Sequence, residues 1–211
     1  MKPQKYSQEP EDPQAFTRQF NRIYSSFAPL YNFLLDVFPV WHHWIDHALP
    51  HIEGPKVLEV SFGTGHLMAQ YAKNFNTFGV DLNVKMSQQA ASRLGKAGSD
   101  AYVQIANVEH IPYKKAGFDT VINTMAFSGY PDGEQALREM RRVLKPAGKL
   151  VMIDVNFPRD GNFIGTALAR FWIATGDLIR DVPGVFHAIG WSCQDFEVGG
   201  YGSVHLYLAE K

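Results

Sequence analysis

A glycine-rich turn between a strand-like run and a helix start is the feature of this sequence with the clearest chemistry. The run VLEV at 57–60 is followed by SFGTG at 61–65, and a second strand-like run carries Asp81 near its end. Glycines allow a backbone to approach a ligand closely, and a helix N-terminus presents free N–H groups. An acidic side chain at the end of the second strand suits paired ribose hydroxyls. The arrangement indicates a site for a nucleoside-containing cofactor.

The spacing of the glycines narrows the class of cofactor. A dinucleotide fingerprint, G-x-G-x-x-G, would need a glycine where Met68 stands. The phosphate-binding pattern G-x-x-x-x-G-K-[ST] does not occur in the sequence. The pattern acid-x-G-x-G-x-G does fit residues 59–65, with Ser61 in place of the first glycine. The turn therefore argues against a nicotinamide dinucleotide and against a nucleoside triphosphate.

Three further blocks follow the turn in order. They are NVEHIPY at 107–113, GFDTVI at 117–122 and REMRRVLKPAG at 138–148. With the turn, over about residues 55–155, they resemble the class I S-adenosylmethionine (SAM)-dependent methyltransferases. Within that class the likeness is to the type 11 and the ubiquinone/menaquinone biosynthesis methyltransferases. The resemblance implies SAM as the cofactor, S-adenosylhomocysteine (SAH) as its product, and methyl transfer as the activity.

The same resemblance assigns the cofactor contacts residue by residue. The amino-acid end of SAM would be surrounded by Glu59, Ser61, Gly63 and Gly65. Its ribose would contact Asp81 and its adenine Leu82, with Asn107 and Val108 at the adenine edge. The methionine part and the way to the substrate would be lined by Asn123 and Thr124.

Two residues depart from the pattern of the family. Ser61 adds a side chain where the family favours glycine, so it either narrows the methionine pocket or bonds the cofactor through its hydroxyl. Asn107 replaces the common Asp, and Asn can donate a hydrogen bond as well as accept one. Both departures leave open a non-catalytic SAM- or SAH-binding protein of the same fold, such as a sensor or a partner subunit. Another SAM-using transferase, such as an aminopropyl-transferring enzyme, lacks the LKPAG block at 144–148.

Methyl transfer from a sulfonium needs alignment more than acid–base catalysis, because the cofactor already carries the activated group. No motif of catalytic residues is visible, and the catalytic residues are unknown. Three candidates stand out: Tyr24, His187 and Asp154. Tyr24 opens YSSFAPLYN, which resembles the Y-D-x-x-A-x-x-Y-D lead-in of related enzymes. Its ring could face the sulfonium or simply pack on the core.

Short β-branched runs alternate with helix-like segments from residue 56 onward, which indicates a parallel sheet with helices on both faces. The runs are 56–60, 77–82, 101–105, 120–124, 149–155 and 202–211. With the resemblance, they predict an α/β fold with a doubly wound, Rossmann-like sheet of seven strands. The last strand is expected to be antiparallel and an N-terminal helical cap to cover the site.

Residues 1–14 are polar and rich in proline, and are expected to be a disordered lead-in. Residues 15–211 would form one methyltransferase domain, with 15–52 as the helical cap and 157–190 as a substrate-side insert that contains a helix at 162–175. An aromatic stripe at helical spacing runs along the cap, and it could pack on the core or contact ligand. The apolar cap and insert favour a small hydrophobic or aromatic acceptor, although packing on each other or in a homodimer would explain them too.

The composition of the sequence argues against several other classes of protein. A net charge of −1 gives no footprint for a nucleic-acid backbone. No apolar stretch is long enough to span a bilayer, although peripheral contact with a membrane stays open. One cysteine, Cys193, suits a reducing compartment, so we expect a cytoplasmic protein. His43 and His47 share a helical face, but no third ligand is apparent nearby, and no metal site is predicted.

Overall fold

The computed structural model describes residues 6–20, 22 and 40–211, and a seven-stranded sheet lies at their centre. The strands are β1 Lys56–Val60, β2 Asn76–Asp81, β3 Tyr102–Ile105, β4 Phe118–Thr124, β5 Leu144–Val155, β6 Cys193–Gly199 and β7 Val204–Glu210. Their order in the sheet is β3-β2-β1-β4-β5-β7-β6. Strands β1 to β5 are mutually parallel, and β7 is antiparallel to both β5 and β6. The predicted sheet with an antiparallel last strand is confirmed.

Helices cover both faces of the sheet. They are α1 at 13–20, α2 Val40–Asp46, α3 His66–Tyr71, α4 Val84–Lys96, α5 Gly133–Val143, α6 Phe163–Thr175 and α7 Val182–Ala188. One buried cluster joins the sheet to α2, α3 and α4, and another joins its opposite face to α5 and α7. The fold is therefore doubly wound, as the alternation of strand and helix signals predicts.

The first strand shows why the sequence folds this way. Val57 packs in the cluster beneath α2–α4, whereas Leu58 and Val60 pack in the cluster beneath α5 and α7. Successive side chains of a strand point to opposite faces, so a central strand buried on both sides is apolar almost throughout. Glu59 is the exception, and it lies at the edge where the parallel strands end.

Strand β6 was not among the runs that the sequence pattern located. It is an edge strand in which Gln194, Glu197 and Phe196 are exposed. An edge strand buries little apolar surface, so it shows no continuous run of β-branched residues. The predicted helix at 162–175 is present as α6, one residue shorter, because the Asn162 side chain caps it by accepting from the N–H groups of Ile164 and Gly165.

The N-terminal region contacts the body of the protein where it is described. Ser7 N donates to the Ile179 carbonyl across 2.8 Å, and the Arg180 guanidinium pairs with Glu9 at 2.7 and 2.8 Å. Helix α1 begins at residue 13, and α2 lies in the predicted cap. Residues 1–5, 21 and 23–39 lie outside the described residues, and they include Tyr24 and most of the aromatic stripe. The domain boundaries stay predictions.

Among the described helices, none combines the length and the apolar character needed to cross a bilayer.

Candidate active site

A cavity of about 190 Å³ lies at the edge where β1, β2 and β4 end. Residues from the carboxyl ends of these strands and from the loops that follow them form its floor. Helices α1 and α2 contribute to its other wall, through Thr17, Phe20, Trp41, His42 and Ile45. Eight of the ten predicted cofactor residues line it; Gly65 and Asn123 do not. The carboxyl edge of a parallel sheet is the usual place for a ligand in open α/β folds.

The glycine turn places its two glycines in different roles. Gly63 has φ +55°, and among the described residues no atom lies within 4 Å of where a Cβ would be. Gly65 has φ +71°, and a Cβ there would lie 3.0 Å from the Cβ of Ala90 on α4. Gly63 therefore borders open space in the cavity, whereas Gly65 permits the close packing of α3 on α4.

The Asp81 side chain, at the end of β2, is hydrogen-bonded to the glycine turn that follows β1. Its Oδ2 atom accepts from the N–H of Gly63 at 2.8 Å, and its Oδ1 atom accepts from the N–H of Asn83 at 2.7 Å. Burial raises the pKa of this carboxyl to about 6, although both hydrogen bonds oppose the shift. Each carboxylate oxygen keeps a second lone pair, so the side chain can still accept from two hydroxyl groups.

Glu59 is buried at the floor of the cavity, with 1% of its surface exposed. The Tyr71 hydroxyl donates to its Oε2 atom at 2.8 Å. Burial raises the pKa of this carboxyl to about 8, which the tyrosine hydrogen bond only partly opposes. At neutral pH the protonated form is therefore favoured, and a cation bound beside it would favour the ionised form.

The residue after β2 and the loop after β3 form a second wall. Leu82 is 39% exposed and lines the cavity. Asn107 Oδ1 accepts from the N–H of Glu109 at 2.9 Å, which leaves its amide nitrogen as a donor. Val108 is buried beside it. An apolar face next to a donor suits a heterocyclic base.

Asn123 lies behind the cavity and bonds to one of its lining residues. It is fully buried, and its Nδ2 atom donates to the Tyr130 hydroxyl at 2.7 Å. Ser61 Oγ lies 2.7 Å from the same hydroxyl. Sequence reasoning missed Tyr130, which follows β4 by six residues in the loop FSGYPD. Its position after the carboxyl end of a central strand is the signal that could have found it.

The other end of the cavity is lined mainly by apolar and aromatic side chains. The Phe20 ring lies so close to Gly129 that a Cβ on that residue would be 2.5 Å from it. Trp41 contacts Trp172 of α6, with ring centroids 5.4 Å apart. His42 stacks on His66, with centroids 3.6 Å apart. The cap and α6 thus contact each other through Trp41 and Trp172, but no residue of the predicted insert 157–190 lines the cavity, so its substrate-side role stays a prediction.

Two of the three catalytic candidates, His187 and Asp154, do not line the cavity. His187 is exposed on α7. Asp154 is buried and accepts from the N–H groups of Ser128 and Val155, and burial raises its pKa. Its contacts fit a structural role. Tyr24 lies outside the described residues. In residues 6–20, 22 and 40–211, no cluster of three His, Cys, Asp or Glu side chains could hold a metal.

The residues present fit SAM. Open space borders Gly63, and two buried carboxyl groups lie at the floor and edge of the same cavity. Such carboxyls can accept hydrogen bonds from the hydroxyls of a ribose and can pair with a positively charged amino-acid group.

Comparisons with known proteins agree with this fit. Residues 58–152 match the family model described as a methyltransferase domain. A C-methyltransferase of ubiquinone/menaquinone biosynthesis from Shewanella frigidimarina is 32% identical over 65% of this chain and 59% of its own length. The relative from Haemophilus ducreyi with the same description is 29% identical, over 64% of this chain and 57% of its own length. The chain thus spans less than two thirds of these curated relatives.

A solved structure from Thermotoga maritima, described as a SAM-dependent methyltransferase and possible histamine N-methyltransferase, superposes with a TM-score of 0.71. It is 16% identical and covers 90% of this chain and 99% of its own. The fold is that of the class I SAM-dependent methyltransferases. Residues 58–152 are similar to a methyltransferase domain, and SAM is the cofactor of the class whose fold this chain shares.

Proposed function

We propose that this protein transfers a methyl group from SAM to a small hydrophobic or aromatic acceptor. The observation that carries the proposal is that one cavity is lined both by Asp81 and Asn107 and by Phe20 and Trp41. The first pair offers the polar groups that a nucleoside needs, and the second pair offers an apolar wall. A cofactor and an acceptor would therefore lie next to each other in one cavity.

The chain's own residues would hold the cofactor as follows. Asp81 accepts hydrogen bonds from the ribose hydroxyls, Leu82 covers one face of the adenine, and Asn107 donates to the adenine edge. Glu59 attracts the ammonium group of the amino-acid end. These roles follow from the donors and acceptors that the intramolecular hydrogen bonds leave available.

The bound cofactor supplies a methyl group activated on a sulfonium. The protein needs to hold the acceptor atom in line behind that methyl and to exclude water, and orientation of this kind supplies about 7–11 kcal/mol of a barrier. Phe20, Trp41 and Met125 form the apolar surface that performs both tasks. An acceptor that arrives deprotonated needs no catalytic base, which agrees with the absence of an acid–base motif in the sequence.

The relatives support a more specific acceptor. They are described as C-methyltransferases of ubiquinone and menaquinone biosynthesis, and the acceptor end of the cavity is apolar and aromatic. We therefore propose a phenol or quinol as the acceptor, reacting as its phenolate with a ring carbon as the methylated atom. The new C–C bond forms as the S–CH3 bond breaks and SAH leaves, and the proton of that ring carbon passes to water.

Turnover with SAM carrying a tritiated methyl group tests this proposal. The purified protein is incubated with a panel of hydrophobic phenols, naphthols and amines, and the products are identified by mass spectrometry. Methylated phenols or naphthols, with the label on a ring carbon, are the expected result. Tight SAH binding without turnover of any acceptor would contradict the proposal and favour the non-catalytic SAM-binding protein.

A further inference from the structure

Ser61, Tyr130 and Asn123 form a chain of hydrogen bonds that leads from the sheet to the cavity. Ser61 Oγ and the Tyr130 hydroxyl are 2.7 Å apart, and Asn123 Nδ2 donates to the same hydroxyl at 2.7 Å. Ser61 and Tyr130 line the cavity, and Asn123 is fully buried behind them. This series of hydrogen bonds therefore ends at Ser61, which borders the cavity at the glycine turn.

The direction of these hydrogen bonds follows from the backbone around Asn123. Its Nδ2 atom lies 3.3 Å from the Val60 carbonyl oxygen, which can only accept, so the amide nitrogen faces Tyr130. Tyr130 accepts from Asn123, and its own buried O–H needs an acceptor. Among the described residues, Ser61 Oγ is the acceptor within hydrogen-bond distance. Because burial also raises the pKa of Tyr130 far above its usual value, the phenol keeps its proton and donates a hydrogen bond to Ser61 Oγ.

In the part of the chain that the structure describes, this direction leaves the Ser61 O–H available to donate into the cavity. The position is costly for a serine, because Ser61 has φ 53°, in the left-handed region that favours glycine. Glycine would remove that cost and would also match the pattern of the family. A serine held there by the buried Tyr130, which Asn123 holds in turn, is consistent with a hydroxyl that interacts with the ligand.

We propose that Ser61 donates a hydrogen bond to the α-carboxylate of bound SAM or SAH, with Tyr130 and Asn123 as the positioning residues that aim it. The carboxylate is the one anionic group of the cofactor, and a donor hydroxyl is stabilised most by an anion. Glu59, on the same strand–turn unit, repels a carboxylate when ionised and suits the ammonium instead. This inference rests on the proposed cofactor site. It names Ser61 as the residue that gives this site its specificity for the amino-acid end of SAM.

Calorimetric titration of wild type, Ser61→Gly and Tyr130→Phe tests the inference without any acceptor. Each protein is titrated with SAH and with decarboxylated SAH, which keeps the adenosine, the thioether and the amine. Ser61→Gly should weaken SAH binding about tenfold or more and leave binding of the decarboxylated analogue within about twofold. Tyr130→Phe should weaken SAH several-fold, and the double variant should bind no more weakly than Ser61→Gly alone.

Ser99→Ala serves as the control, because Ser99 does not line the cavity. The decarboxylated analogue also shows that each variant has kept a folded site. Equal or tighter SAH binding by Ser61→Gly would overturn the inference, and so would an equal loss for both ligands, since that would mean a change in the shape of the site. Failure of the wild type to bind SAH at all would overturn the cofactor site itself.

Discussion

The backbone N–H of Gly63 donates to the carboxylate of Asp81 across 2.8 Å, which joins the glycine turn after β1 to the end of β2. The acid that the sequence assigns to a ribose therefore also holds the shape of the turn. Both functions depend on one side chain that is 8% exposed. A substitution at Asp81 consequently acts on the cofactor directly and on the turn that surrounds it.

Asp81→Ala should lower the affinity for SAH about 100-fold or more, because two hydrogen bonds to a charged group are lost, each worth about 1.5–3 kcal/mol. Calorimetry with SAH measures the affinity, and circular dichroism checks the fold. Asp100→Ala, at an exposed position before β3, is the matched control. An unchanged affinity in Asp81→Ala would remove Asp81 from the site.

Exchanging each of the two glycines should separate binding from stability. Gly63→Ala places a methyl group at the open space in the cavity and should weaken SAH binding strongly, with a modest loss of stability from the positive φ. Gly65→Ala carries the same backbone cost and in addition meets Ala90 at 3.0 Å, so its melting temperature should fall further. Thermal unfolding and SAH titration of both variants measure the two effects. Equal melting temperatures would contradict the packing role of Gly65.

Glu59 should make the stability of the ligand-free protein depend on pH. Its pKa is about 8 in the folded state and near 4.5 when exposed, so between these values the folded state binds the extra proton. The free energy of unfolding should therefore fall as pH rises from 6 to 8, by up to about 1.4 kcal/mol per pH unit from this group. Urea unfolding of wild type and Glu59→Gln at several pH values measures the slope, which should be smaller in the variant. Superimposable pH profiles would show that Glu59 titrates normally.

Arg180 connects the N-terminal segment to the loop beside the cavity. Its buried guanidinium pairs with Glu9 and donates to the carbonyl oxygens of Phe127 and Tyr130. Arg180→Met removes these donors and should destabilise the protein by about 2–4 kcal/mol. Glu9→Gln should cost at most about 1 kcal/mol, because Glu9 is 58% exposed. Urea unfolding compares the two, and a larger effect of Glu9→Gln would reverse this assignment.

The sequence predicts the central elements well because their signals are local. Strand β1 lies at the predicted residues 56–60, since a central parallel strand is apolar on both faces. Helix α6 ends where predicted and begins one residue later, after its Asn162 cap. The edge strand β6 is missed by the sequence pattern, because none of its residues is fully buried and they show no apolar run.

The site is predictable where a contact belongs to the strand–turn–helix unit, and less so where it depends on tertiary packing. Glu59, Asp81 and Asn107 line the cavity as predicted. Asn123 instead bonds to Tyr130, and Gly65 packs on α4, because the direction of each side chain depends on neighbouring elements that the local pattern does not contain. The cofactor contacts of all ten predicted residues stay predictions.

Parallel calorimetric titrations with SAM, SAH and NADH test the central claim most directly. We expect micromolar binding of SAM and SAH and none of NADH, because the turn lacks the dinucleotide spacing and the cavity offers Asp81 and Glu59 to a sulfur nucleoside. Binding of NADH, or of neither sulfur nucleoside, would contradict the assignment of this cavity to SAM.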